Sequence, residues 1–116
     1  MIKPASAFIA EAQQHINCIT PEQAKEMLEN NHNTLMLDVR EPAEALESKL
    51  TCSVNIPRGL LEMKIERHCD NENITLITHC AAGGRASLAA ARLEEMGYAN
   101  VYAITAKFDD VKKIID

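Results

Sequence analysis

Aromatic side chains are scarce in this chain of 116 residues: two phenylalanines, two tyrosines and no tryptophan. They are not interleaved with basic residues as in a nucleic-acid-binding surface. There is no run of basic residues, and the formal net charge is −5. Nucleic acid and anionic membranes are accordingly poor partners, and any pull on an anionic substrate must be local. Nothing approaches the ~18 consecutive apolar residues of a membrane span. Met1 to Phe8 has no long apolar segment of the secretory kind, so the expected compartment is the cytoplasm. Cys18, Cys52, Cys69 and Cys80 include no Cys-x-x-Cys pair and are expected as free thiols rather than a disulfide framework. His68-Cys69 and His79-Cys80 look like ligand pairs, but neighbours along a strand point to opposite faces. No metal and no cofactor is expected.

What the chain does have is aliphatic: 47% of its residues are apolar, enough at this length for one domain with its own core. Ala5, Phe8, Ile9, Ala12 and Ile16 form one stripe of a lead-in helix within residues 1–17. Thr20-Pro21-Glu22-Gln23 is a capping box with proline at the first helical position, opening a helix to about Glu29. Thr34 to Val39 is an apolar run with a carboxylate near its end, as in a central parallel strand. Pro42 starts a short helical turn, Ser53 to Ile56 reads as a strand stopped by Pro57, and a helix follows from Gly59 to about Arg67. Ile74 to His79 is a buried strand, Ala86 to Met96 a helix closed by Gly97, Val101 to Ile104 a last strand and Lys107 to Asp116 a last helix. Alternating strands and helices at this spacing predict βαβ units around a parallel sheet. One domain, residues 1–116, accounts for the whole pattern.

The most informative stretch is Cys80-Ala81-Ala82-Gly83-Gly84-Arg85, between a strand end and a helix start. A free thiol, with a pKa of about 8.5, is mostly protonated at neutral pH, and the thiolate is the nucleophile. Helix N-termini favour the anion, because unsatisfied amides and the positive end of the dipole face it. Ala81, Ala82, Gly83 and Gly84 carry almost no side chain, so successive amides can curl inward as an anion nest. Arg85 either faces the bound anion or bridges outward to an acidic residue and braces the loop. The plain alternative is a buried structural cysteine before a Gly-rich turn, since free cysteines are often buried. Position favours reactivity: α/β sheets place their ligand sites beyond the carboxyl ends of strands. Ala86, Ala89, Ala90 and Leu93 lie on one face of the following helix and belong to the core. His79 precedes the thiol, and on a strand its ring points away from it.

Three segments in register resemble the rhodanese-like (sulfurtransferase) family: Leu37-Asp38-Val39-Arg40-Glu41-Pro42, then Val54-Asn55-Ile56-Pro57, then Cys80 with Gly83 and Arg85 before a helix. The resemblance runs from Ile19 to Lys112. It implies an α/β fold, doubly wound, with a mainly parallel sheet of about five strands and helices on both faces. It also implies that Cys80 takes a sulfane sulfur from a small donor, thiosulfate or a persulfide, and holds it as a persulfide. A thiol or cyanide acceptor, or a partner protein, then removes it. The amides of Ala81, Ala82, Gly83, Gly84 and Arg85 would cradle that sulfur, with Asp38 and Arg40 near the loop as supporting groups or as a strand-end salt bridge.

Other functions fit parts of this pattern. A sulfur carrier or redox sensor would use the same thiol without steady turnover, and an interaction module would use the pocket without chemistry. Cysteine phosphatases and arsenate reductases related to this fold need one more residue between cysteine and arginine, whereas Cys80 and Arg85 enclose four. The loop also carries no acid to protonate a leaving oxygen. Ser48-Lys49, Cys52, Ala106-Lys107 and Val111 depart from the family pattern at mainly structural positions. Neither Ala81 nor Ala82 is basic, which argues against a doubly charged donor such as thiosulfate.

Overall fold

The computed structural model describes Met1–Asp116. Five strands form one sheet: β1 (Asn17–Ile19), β2 (Thr34–Asp38), β3 (Ser53–Asn55), β4 (Thr75–His79) and β5 (Asn100–Ile104). Their spatial order is β1-β5-β4-β2-β3, and every pairing is parallel. Six helices join them: α1 (Ala5–His15), α2 (Pro21–Asn30), α3 (Pro42–Glu47), α4 (Leu61–His68), α5 (Gly84–Met96) and α6 (Phe108–Ile115). The expected doubly wound α/β architecture is what the chain adopts.

One strand and one helix start differ from expectation. β1 was not foreseen as a strand: it is three residues long, lies at the sheet edge and has no buried residue to mark a face. It forms because Asn17, Cys18 and Ile19 run parallel to Tyr102, Ala103 and Ile104 of β5. The helix expected from Gly59 begins instead as a short 3-10 turn, Arg58–Leu60, before α4. His68 therefore ends a helix rather than a strand, and no cluster of His, Cys, Asp or Glu that would hold a metal is present.

The sheet separates two cores. On one face Leu37, Val39, Leu76 and Val101 pack with Leu61 and Ile65 of α4 and with Ala86, Ala89, Ala90 and Leu93 of α5. On the other, Met36, Ile77 and Ile104 pack with Ala24 of α2 and with Phe108 and Val111 of α6. β4 is buried along its whole length and feeds both. Leu76 and Cys80 join the α5 core while Ile77 joins the α6 core, so the two-residue period of a strand decides which face each side chain serves. The stripe on α1 is narrower than its apolar residues suggest. Ala12 and Ile16 are buried, but Ala5 is exposed and Phe8 stays 48% exposed, with the Lys3 ammonium 4.3 Å from its ring centroid.

α2 starts as its capping box predicts, with the Gln23 amide donating to Thr20 Oγ1 and the Thr20 amide to Gln23 Oε1. α5 ends on Gly97, whose φ of 110° lies in the left-handed region where glycine carries no steric cost.

His79 is the largest polar side chain in the fully buried core. Its Nε2 lies 2.6 Å from Ser53 Oγ, its ring stacks near Phe108, and its Nδ1 has no partner. Burial pushes its pKa down to about 4, against a smaller upward pull from Asp38 and a downward push from Arg40.

Small residues on α5 bring its backbone close to the sheet, so Ala89→Leu should overpack this interface. The expected loss is about 1–3 kcal/mol by urea denaturation, and no loss would show that the helix has room to move. His79 gives a pH test. The unfolded chain takes up a proton near the ordinary histidine value of 6.5, whereas the folded chain does so only at about 4. Its contribution is therefore complete above pH 6.5 and lost as pH falls towards 4. The loss should be on the order of 2–3 kcal/mol. Stability measured in this window should fall less steeply for His79→Gln, and equal slopes would refute the assignment.

Candidate functional site

The turn from β4 into α5 is set by one residue. Gly83 has φ 99° and ψ −15°, a left-handed conformation that L side chains rarely adopt. A Cβ at this position would also lie 2.6 Å from the Thr105 carbonyl oxygen and 2.8 Å from its Cα. Backbone from the end of β5 thus fills the space a side chain would need, and only glycine satisfies both constraints. Gly84 meets a softer neighbour, because a Cβ there would lie 3.0 Å from Cδ1 of Ile9 on α1. On the far side of the loop the Phe108 amide, at the start of α6, donates to the Ala81 carbonyl at 2.9 Å.

This turn folds the chain back over the sulfur of Cys80. The Gly83 amide donates to Cys80 Sγ at 3.0 Å and the Ala86 amide at 3.3 Å. The amides of Ala81, Ala82, Gly84 and Arg85 donate to no acceptor within the protein. Cys80 itself is 2% exposed, Ala81 half-buried and Ala82 exposed. The loop therefore holds a shielded sulfur on two amides and leaves four further loop amides without an acceptor. That distribution of donors suits an anionic sulfur or an anion bound beside it.

Arg85 takes the outward course. Its Nη1 and Nη2 fork onto Glu44 Oε1 and Oε2 at 2.6 and 3.0 Å, tying the start of α5 to α3. The same Glu44 Oε1 accepts the Glu41 amide at 2.9 Å. The guanidinium holds the Glu44 carboxyl well below the usual range, at about 2, so the pair is ionised at neutral pH. Glu44 was not singled out from the sequence, where only an unspecified acidic partner was expected. Its position in the first turn of α3, three residues after Glu41, was the available signal.

Asp38 and Arg40 form a second, buried pair. Arg40 Nε and Nη2 donate to the Asp38 carboxylate at 2.9 and 2.7 Å, and Nη2 also donates to the Ser48 carbonyl at 2.7 Å. The guanidinium carbon lies 3.8 Å from the Phe108 ring centroid. The Asn55 side-chain amide donates to both the Asp38 and the Arg40 carbonyls, closing the end of β2 against β3. Asp38 pairs with His79 in the sheet register, on the α6 side, whereas Cys80 joins the α5 core. The Asp38–Arg40 pair reaches the loop through Phe108, whose ring it underlies and whose amide holds Ala81. Arg58 is engaged elsewhere, on Glu62 at 2.9 Å.

Cys69 is buried and its thiol donates to the Asn71 carbonyl at 3.4 Å, while Cys18 and Cys52 are exposed; all four cysteines are free. Burial raises the pKa of Cys18 and Cys52, which keeps them in the less reactive thiol form. A surface cavity of about 790 Å³ lies between α1, α5 and the 3-10 turn and has no loop residue in its lining. No helix is long and apolar enough to cross a membrane.

Comparison with known proteins agrees with this geometry. A curated sulfurtransferase from Allochromatium vinosum is 24% identical over 86 residues, which cover 74% of this chain and 78% of that protein. Among solved structures, a protein of unknown function from Rhodopseudomonas palustris, described as a possible tyrosine phosphatase, superposes with a TM-score of 0.84. It is 25% identical, and the match covers 97% of this chain and 92% of that one. The polysulfide-sulfur transferase homodimer of Wolinella succinogenes superposes with a TM-score of 0.77 at 23% identity, covering 90% and 79% of the two chains. The human single-domain sulfurtransferase gives 0.70 at 17%, covering 80% and 92%. The rhodanese-like domain family model matches residues 20–113, from the cap of α2 to the last turn of α6, and the chain belongs to that family.

Proposed function

We propose that the protein is a sulfurtransferase that carries a sulfane sulfur on Cys80. The observation that carries this reading is the pair of amides on Cys80 Sγ, surrounded by the free amides of Ala81, Ala82, Gly84 and Arg85. The Cys80 thiolate attacks the outer sulfur of the donor. A new S–S bond forms, the donor's S–S bond breaks, and its electron pair leaves on sulfite or on a thiolate. Cys80 then bears a persulfide whose outer sulfur takes the charge. The free amides of the loop are placed to receive that charge, with no side chain in the way. An acceptor thiolate or cyanide attacks the outer sulfur, and the electron pair returns to Cys80 Sγ. Arg85 serves this cycle from outside, by fixing the first turn of α5 to Glu44.

The charge around the loop favours a donor of low charge, such as an alkyl or protein-bound persulfide. Arg85, Arg40 and Arg58 are each paired with a carboxylate, Arg58 sharing Glu62 with Arg92. Ala81 and Ala82 add no cation, so thiosulfate would bring two negative charges to a loop with only dipoles to meet them. We assign the reaction to soluble small-molecule or protein thiols and, with no apolar span in the chain, to the cytoplasm.

The described resemblance of one structural neighbour to a tyrosine phosphatase makes phosphoryl transfer the competing reading. Four residues between Cys80 and Arg85 make a tight loop for a tetrahedral phosphate, and Arg85 is spent on Glu44 rather than facing the sulfur.

Cys80→Ser should abolish sulfur transfer from either donor, while Cys18→Ser, Cys52→Ser and Cys69→Ser keep most of it. Intact-mass measurement should show one added sulfur atom lost only with Cys80. Equal loss from a second cysteine, or hydrolysis of p-nitrophenyl phosphate without any sulfur adduct, would overturn the assignment. Ala82→Arg should raise thiosulfate kcat/KM by about tenfold at low salt and leave an uncharged persulfide donor nearly unaffected. An equal effect on both donors would contradict the charge argument.

A further inference from the structure

A chain of hydrogen bonds reaches the loop from outside the segment that defines the family. The Ser87 hydroxyl, fully buried in the first turns of α5, donates to the Gly83 carbonyl at 2.7 Å, beside the backbone bond from the Ser87 amide at 3.0 Å. A hydroxyl has one hydrogen, which this bond uses, and lone pairs left to accept. Gln13 of α1 fills that role, its Nε2 donating to Ser87 Oγ at 3.1 Å. Gln13 lies before residue 20, where the family match begins.

The receiving residue gives this chain its significance. Gly83 is the residue whose amide holds Cys80 Sγ, and as a glycine at positive φ it is the most conformationally free member of the loop. The Thr105 carbonyl blocks one direction of movement. The Ser87 hydroxyl anchors the other end of the residue, through its carbonyl. The Gly83 carbonyl and N–H lie in different peptide planes, so the Ser87 bond restrains the N–H through the φ and ψ of Gly83, whose range the Thr105 backbone limits. Ile9, about one turn before Gln13 on α1, packs its Cδ1 methyl close to Gly84, where a Cβ would lie 3.0 Å from it.

We propose that Ser87 and Gln13 are positioning residues for Cys80, acting through the chain Gln13 Nε2–H to Ser87 Oγ–H to the Gly83 carbonyl. The helix that precedes the family domain is thereby part of the site. This rests on Cys80 being the reacting thiol, but not on the identity of what it attacks. The charged and titratable groups around the loop are Arg85 and Glu44 on the α3 side and Asp38, Arg40 and His79 on the α6 side, and all are left intact by the variants below.

The test is the rate of iodoacetamide alkylation of Cys80 in the full chain, followed by peptide mass spectrometry across pH, with thermal melting as the control for folding. Ser87→Ala should slow alkylation at neutral pH by about three- to tenfold and move the midpoint of its pH profile upward. Gln13→Ala should have a smaller effect in the same direction. The double variant should lose less than the product of the two, because both residues act through one bond. Gln13→Glu is the sharpest variant. A carboxylate cannot donate, so it draws the Ser87 hydrogen away from Gly83, and it should resemble Ser87→Ala despite its preserved size. Measuring it in about 0.5 M salt screens the added charge.

Wild-type alkylation profiles for Gln13→Glu and Ser87→Ala, whatever their melting temperatures, would overturn the proposal. So would a Gln13→Ala effect that is undiminished in the Ser87→Ala background. Alkylation reports the thiol directly, so a failure to detect sulfur transfer would refute the proposed reaction and leave this result standing.

Discussion

The carboxyl ends of β4 and β5 lie side by side, and the chain leaving β4 must turn within the space that Thr105 leaves open. That steric limit is met by Gly83 alone, at φ 99°, with the Thr105 carbonyl where a Cβ would stand. Everything specific to the site follows from it. The left-handed residue starts α5 at once, and its own amide and that of Ala86 in the first turn of α5 donate back to Cys80 Sγ. The small residues Ala86, Ala89 and Ala90 then let the helix lie close against β4 and β5, which holds its N-terminus over the sulfur. A larger side chain on that face would lift the helix and carry the amides away with it.

Charge is arranged around this turn in pairs. Glu44 neutralises Arg85 and Asp38 neutralises Arg40, and burial keeps His79 neutral near pH 7. The sulfur is consequently stabilised by dipoles, not by a free cation. In the proposed reaction, dipoles fixed by backbone geometry would need little reorganisation as charge moves from the donor to the outer sulfur. With no unpaired cation in the loop, the proposal makes the net charge of the donor the deciding quantity. The buried Asp38–Arg40 pair has a different task. Removing one partner of such a pair typically costs about 3–5 kcal/mol, and here it would also unseat Phe108, the residue that holds Ala81 from the other side.

Much of this was legible along the chain because it depends on neighbours in sequence. The capping box at Thr20, the buried run of β4 and the glycines between Cys80 and α5 act within a few residues of one another. β1 was invisible for the opposite reason. A three-residue edge strand has no periodicity of its own and exists only through its pairing with β5, more than 80 positions away. Arg85 could be seen to need a partner, but Glu44 is 41 positions distant, and its spacing from Glu41 marks a helix start without linking it to Arg85. The apolar period places Phe8 on one stripe with Ala12 and Ile16, yet α1 turns its side chain to the rim of an open groove. Hydrophobic period predicts which residues share a face and not how much of that face another helix covers.

The two sets of amides in the loop are the physical ground for proposing sulfur rather than phosphate as its cargo. Gly83 and Ala86 are committed to Sγ, which fixes where the nucleophile sits. Ala81, Ala82, Gly84 and Arg85 remain for one further atom attached to it. A persulfide adds one atom in line with Sγ and carries its charge there. A phosphoryl group adds three oxygens splayed about phosphorus, and each needs donors of its own. With four residues between Cys80 and Arg85, and the guanidinium turned towards Glu44, the loop has donors for the first arrangement and lacks the cation that the second draws on.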